Sequence, residues 1–94
     1  MKTVKMVQDM VRKAMGKGEA EIRRNGQPLY KCSYQNGVLR MTHYGTRILV
    51  VESDYVAYIG GYSASDRDAI NNALYVLSVS GKAFIKNGTL DYVA

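Results

Sequence analysis

Apolar and polar positions alternate from Leu29 to Gln35 and again from Val38 to His43, with Asn36-Gly37 between the two runs. Period-two alternation signals a half-buried strand. Asn-Gly between two such runs predicts a type I′ hairpin, whose central residues both need positive φ. A two-residue loop then pairs Gln35 with Val38, Tyr34 with Leu39, Cys32 with Met41 and Tyr30 with His43. Side chains alternate along a strand, so the last three pairs share one face. Lys31, Ser33, Gln35, Val38, Arg40 and Thr42 take the other. One apolar and one polar face make a half-buried antiparallel sheet.

The flanking chain extends this hairpin on both sides. Glu19 to Arg24 reads as a strand, and a three-residue loop at Asn25-Gly26-Gln27 before Pro28 sets Ile22 opposite Tyr30 and Ala20 opposite Cys32. Residues 46–52 and 55–59 read as two more strands, turning at Gly45 and at Ser53-Asp54. With both turns tight, Ile48, Val50, Ala57 and Ile59 extend the apolar face. Leu49, Val51, Val56 and Tyr58 then fall on the far face beside Arg40 and Arg47. A sheet apolar on both faces needs a second cover, so these four residues are the expected interface of a homodimer or higher oligomer.

Two segments carry helical spacing instead. Val4, Val7, Met10, Val11, Ala14 and Met15 form one stripe, with Thr3 as N-cap, Gly16 and Gly18 as the stop, and Lys2, Lys5, Gln8, Asp9, Arg12 and Lys13 opposite. Ile70, Ala73, Leu74 and Leu77 form a second stripe near 65–80. Its expected N-cap is Ser65, with Asp68 three residues on, and Gly81 is its expected end. Residues 82–86 and 89–93 around Asn87-Gly88 repeat the hairpin signal, pairing Ile85 with Leu90 and Ala83 with Tyr92. The fold class is therefore α+β in a single domain over 1–94: an N-terminal helix, an antiparallel sheet of about five strands, a second helix and a C-terminal hairpin.

Composition changes this picture little. A chain of 94 residues with 47% hydrophobic and 22% charged residues is long enough for one core and too apolar for disorder. No apolar run reaches the roughly 20 residues of a membrane span, and the amphipathic start has no signal-peptide h-region. One cysteine cannot form an internal disulfide, which favours a reducing, cytoplasmic setting. The net charge of +5 permits an acidic partner but is unconcentrated. Eight tyrosines suit both a sheet and a binding surface.

Candidate chemistry is sparse. Asp66-x-Asp68 is too poor in oxygen donors for a hard cation, and helix capping accounts for both carboxylates, so no metal or cofactor is expected. Cys32 and His43 share a face, which allows a nucleophile and base pair in a small enzyme, but no orienting carboxylate or oxyanion feature accompanies them. Gly60-Gly61 ahead of a helix lacks the rest of a phosphate loop and reads as a joint. Arg23, Arg24, Lys31, Arg40 and Arg47 make a basic patch on the outer side of the sheet, with Tyr58 placed for stacking. That pattern suits a nucleic-acid binder or a protein interface.

At His43-Tyr44-Gly45-Thr46 and at Tyr62-Ser63-Ala64-Ser65-Asp66-Arg67-Asp68-Ala69-Ile70-Asn71, the chain resembles a family of small proteins, without assigned activity, from phages of Gram-positive bacteria. The resemblance covers about the central third, and its second motif is the more specific. It implies a viral accessory protein working in the host cytoplasm, and it supplies no catalytic residues. By class analogy, small phage proteins bind and block host factors, defence systems such as CRISPR included. The leading expectation is thus a non-enzymatic inhibitor, such as an anti-CRISPR protein, of a host protein or ribonucleoprotein. A nucleic-acid-binding accessory protein is the alternative, and the Cys32–His43 enzyme the last.

Overall fold

The structure, a computed structural model, describes residues 2–94, with side chains described from residue 5 onward. The expected Thr3 cap, and the places of the Lys2 and Val4 side chains, lie outside the described residues. The elements run α1 (Lys2–Lys17), β1 (Glu19–Arg24), β2 (Gln27–Gln35), β3 (Val38–His43), β4 (Thr46–Glu52), β5 (Tyr55–Ile59), α2 (Ala64–Leu77), β6 (Lys82–Lys86) and β7 (Thr89–Val93). β1 to β5 form an antiparallel meander in sequence order, and β6–β7 a separate two-stranded hairpin. The α+β architecture is the one the alternation predicts.

The turns carry the register. Asn25-Gly26, Asn36-Gly37 and Asn87-Gly88 all put both residues at positive φ, with the asparagines at 52, 53 and 53°. The pairs of the central hairpin, Gln35↔Val38 through Tyr30↔His43, form as the alternation requires. So do Ile85↔Leu90 and Ala83↔Tyr92. Ile22↔Tyr30 and Ala20↔Cys32 also form, by a different device from the three-residue loop expected. A two-residue Asn25-Gly26 turn is followed by a bulge in which Leu29 is the extra residue.

Two more bulges overturn the expected facing of β4 and β5. Met41 pairs with Leu49 but Thr42 with Arg47, which leaves Ile48 as the extra residue. One inserted residue inverts every side chain beyond it. Leu49 and Val51 therefore face the core with Met41 and Leu39, and Val50 turns outward opposite Arg40. A second bulge at Ala57 keeps Val56 with Val51, Ile59 with Leu49 and Tyr58 with Val50. Leu49 and Val51 are buried, Val56 packs against the core, and Ala57 is exposed. Burying a Leu or Val gains about 1.5–3 kcal/mol, whereas a disrupted ladder bond costs about 0.5–1.5 kcal/mol, so the bulged register wins. Of the four residues expected at an oligomer interface, Leu49, Val51 and Val56 belong to the monomer core. Tyr58 alone is on the outer face, and the argument for self-association falls with them.

Both helices lie on one side of the sheet, making two layers and not three. Val7, Met10, Val11 and Ala14 of α1 share a single core with Ala69, Ile70, Ala73 and Leu74 of α2 and with Tyr30, Cys32, Leu39 and Met41 of the sheet. Met15, expected in the stripe, is 41% exposed. Gly18 closes α1 with positive φ and an N–H to Ala14 O bond of 2.7 Å. Gln8 Nε2 donates to Asn72 Oδ1 at 2.8 Å and ties the helices together. The N-cap of α2 is Ser63, not Ser65: its Oγ accepts from Asp66 N at 3.1 Å. The helix ends at Ser78 in the left-handed region, three residues before Gly81. Asn71 then clamps the C-terminal hairpin onto α2, accepting from Ala83 N at 2.7 Å and donating to Ala83 O at 3.1 Å.

Candidate functional site

The open face of the sheet follows directly from this layering. Its rows run Glu21, Lys31, Thr42, Arg47 and then Ser33, Arg40, Val50, Tyr58 across neighbouring strands. The Arg47 guanidinium lies 4.9 Å from the centroid of the Tyr58 ring, a cation–π contact between adjacent strands. Arg40 and Arg47 have no carboxylate at ion-pair distance among the described residues. Arg23 is different. Its guanidinium holds Glu21 at 2.7 Å and donates to Gly26 O. Glu19, Glu21 and Glu52 are interleaved with the cations, so the face is a mixed Tyr/Arg surface and not a uniform basic patch. The structure brings together Lys31, Arg40, Arg47 and Tyr58 of the predicted set. Arg24 lies on the helix side instead, beside Tyr30, His43 and Tyr44.

Cys32 and His43 share a face as predicted but do not make a nucleophile and base. The Cys32 side chain is fully buried under the helices, and burial pushes its thiol up to about 12. A reactive cysteine needs an accessible thiolate. Cys32 also pairs with Met41, one row of the sheet away from the Tyr30↔His43 pair.

His43 instead meets a carboxylate that sequence reasoning treated as a cap. Its Nδ1 donates to Asp66 Oδ1 at 2.7 Å, and Asp66 is 5% exposed. An ionised carboxylate only accepts, so the proton of this bond sits on Nδ1. The second oxygen, Oδ2, accepts from Tyr62 N at 3.3 Å. Gly61 makes room for this: a Cβ there would stand 2.6 Å from Oδ2, and its φ is 97°. Gly61 therefore lets the chain pass a buried acid, while Gly60 lies against the Tyr58 ring. Asp68 is exposed and held by Arg67 at 3.1 Å.

The His43 ring sits between two tyrosines. Tyr30 stacks on it at 4.4 Å and 14°, and Tyr44 at 5.0 Å and 24°. The stack runs from the core outward, since Tyr30 is 3% exposed and Tyr44 55%. Tyr30 donates its hydroxyl to Ser65 O at 3.4 Å. Burial, with the Asp66 and Asp68 carboxylates and the Tyr44 phenol nearby, pushes that hydroxyl up to about 12. Crevices of about 260 and 370 Å³ open on either side of His43 and Tyr44. The sequence signal for this cluster was the pair of stretches His43-Tyr44-Gly45-Thr46 and Tyr62 to Asn71, which between them contain His43, Tyr44 and Asp66. No family model, curated protein or solved structure matches the chain. Among the described residues, no helix is long and apolar enough to cross a membrane.

Proposed function

We propose that this chain is a phage accessory protein that acts in the host cytoplasm by binding and blocking a host factor, and not by catalysis. The observation that carries the reading is the uncovered sheet face, where Arg40 and Arg47 have no carboxylate at ion-pair distance among the described residues and stand with Tyr58 over a Val50 that is 8% exposed. Tyrosine and arginine are the residues over-represented at protein interface hot spots. Strands fix their backbone positions, and the contact with Tyr58 already orients Arg47, so less ordering is needed on binding. A host protein or ribonucleoprotein of a defence system, including CRISPR, is the partner class favoured by the family resemblance.

The test is capture from lysate of a Gram-positive host, with three baits. Wild type and Lys82→Glu, changed on the distant C-terminal hairpin, should retain the same protein after nuclease treatment. Arg40→Glu/Tyr58→Ala should lose it. Equal capture by all three baits refutes the face. Nucleic acid is a second reading, favoured by the Arg47–Tyr58 stack, which also suits a base. It requires capture that nuclease abolishes, and a salt slope that Arg40→Ala and Arg47→Ala both reduce. The three interleaved glutamates weigh against it.

A further inference from the structure

Tyr44 occupies a position that three other turns of the chain give to asparagine. The turns at 25–26, 36–37 and 87–88 place Asn at φ 52–53° before Gly, and Tyr44 takes the same slot at φ 50° before Gly45. The left-handed region is unfavourable for a bulky L residue, whereas Asn tolerates it. The turn alone therefore does not call for tyrosine. What tyrosine adds is the outermost ring of the Tyr30–His43–Tyr44 stack, which stands more than half exposed.

The larger crevice, about 370 Å³, begins at this ring wall. That volume is within the roughly 300–1,000 Å³ range of small-molecule sites. Leu29, Val7 and Ala69 give it an apolar floor. Arg24 stands at its side with no carboxylate at ion-pair distance among the described residues. Ser65, in the first turn of α2, borders it as well, at the helix end whose dipole favours anions. An aromatic wall, an apolar floor and an unpaired arginine together select a flat ring that carries a negative charge. We infer that this crevice binds a nucleoside monophosphate, its base against the Tyr44–His43 stack and its phosphate at Arg24. Asp68 is the one acid on the lining, and Arg67 partly neutralises it. The crevice is on the helix side of the sheet, so this site is independent of the Tyr/Arg face.

The test uses the full chain and follows amide NMR shifts during titration with AMP, GMP, CMP and UMP, with adenosine and inorganic phosphate as controls. At least one monophosphate should saturate, moving the amides of Arg24, Tyr44 and Ser65, and should bind more tightly than either control. Tyr44→Asn keeps the turn geometry, so the fold and its melting temperature should hold or improve. Affinity should fall roughly five- to 150-fold, the range that base–aromatic stacking supplies. Arg24→Ala changes an exposed residue and should bring the monophosphate down to the affinity of its nucleoside. Asp68→Asn should tighten binding. The inference is overturned if no monophosphate saturates at millimolar concentration, if phosphate alone binds as tightly, or if Tyr44→Asn leaves affinity unchanged. Shifts confined to Arg40 and Arg47 would overturn it equally.

Discussion

Replacing Asp66 by alanine removes a buried carboxylate that joins the end of β3 to the start of α2. Two donors lose their acceptor: His43 Nδ1 at 2.7 Å and Tyr62 N at 3.3 Å. Leaving a buried donor unpaired costs about 1–3 kcal/mol. The Tyr62 bond is long and the His43 side chain is 21% exposed, so water can recover part of each. The sum is about 2–4 kcal/mol. For a domain of this size each kcal/mol lowers the melting temperature by about 4–8 °C, so the drop is on the order of 10–25 °C. Urea unfolding followed by far-ultraviolet circular dichroism measures the free energy directly. His43→Phe keeps the ring stack but removes the N–H. A double-mutant cycle with Asp66→Ala should return a coupling of about 1 kcal/mol or more. Gly61→Ala supplies an internal control: its methyl group meets Asp66 Oδ2 at 2.6 Å, so it should cost less in the Asp66→Ala background, where the tight contact with the residue 66 Cβ at 3.0 Å and the φ strain persist but the carboxylate clash is gone. A loss under about 0.5 kcal/mol for Asp66→Ala, or strict additivity in the cycle, would refute the latch.

Further outcomes follow from the same structure. Ser63→Ala should cost about 1 kcal/mol through the lost bond to Asp66 N, while Ser65→Ala should be close to neutral; paired thermal melts decide which serine is the cap. Leu49→Ala should cost about 2–5 kcal/mol by urea titration, and Val50→Ala less, because Leu49 belongs to the core under the helices while the smaller Val50, 8% exposed, lies on the opposite face of the sheet. Stability should fall as pH rises from 9 toward 12, because the unfolded Cys32 thiol ionises near its ordinary value while the folded one is held up to about 12. Tyr30 adds to the same loss between 10 and 12, and nothing is lost from either group below pH 9. Cys32→Ala should flatten the pH slope of the urea midpoint without removing the tyrosine part.

The turns at Asn36-Gly37 and Asn87-Gly88 were legible in the sequence because Asn-Gly is a local code: positive φ at two adjacent residues is written in two residue types, and the register of a tight hairpin follows. The bulges were not legible, because no local residue announces them. Thr46 to Ile59 contains apolar side chains at both parities, so a strict alternation reading must leave one set in water. The chain resolves this with one extra residue at Ile48 and another at Ala57, a choice visible only once the helices supply a single core for both parities. The expected oligomer was a consequence of that missed freedom. A surplus of apolar positions in adjacent strands indicates a second covered face only if the register is unbroken.

The same competition explains why the His43 cluster was missed. A serine followed three residues on by an acid is a capping pattern, and Tyr62 to Asp68 contains it twice, as Ser63 with Asp66 and as Ser65 with Asp68. Local rules cannot choose between them, since both place a carboxylate in the first turn of a helix. Tertiary packing chooses. Starting α2 at Ala64 brings Asp66 to His43 Nδ1 and leaves Asp68 exposed beside Arg67. Asp66 stands three, four and seven residues before Ala69, Ile70 and Ala73, so it shares the buried face of the stripe that they form with Leu74, whereas Asp68 does not. The acid that was read as a cap is therefore buried by the demand of four apolar side chains behind it. Its burial in turn requires the histidine opposite, because an acid taken out of water needs hydrogen-bond donors. The stack built on that histidine ends in Tyr44, so the core packing of α2 carries outward to an exposed ring at the mouth of the crevice.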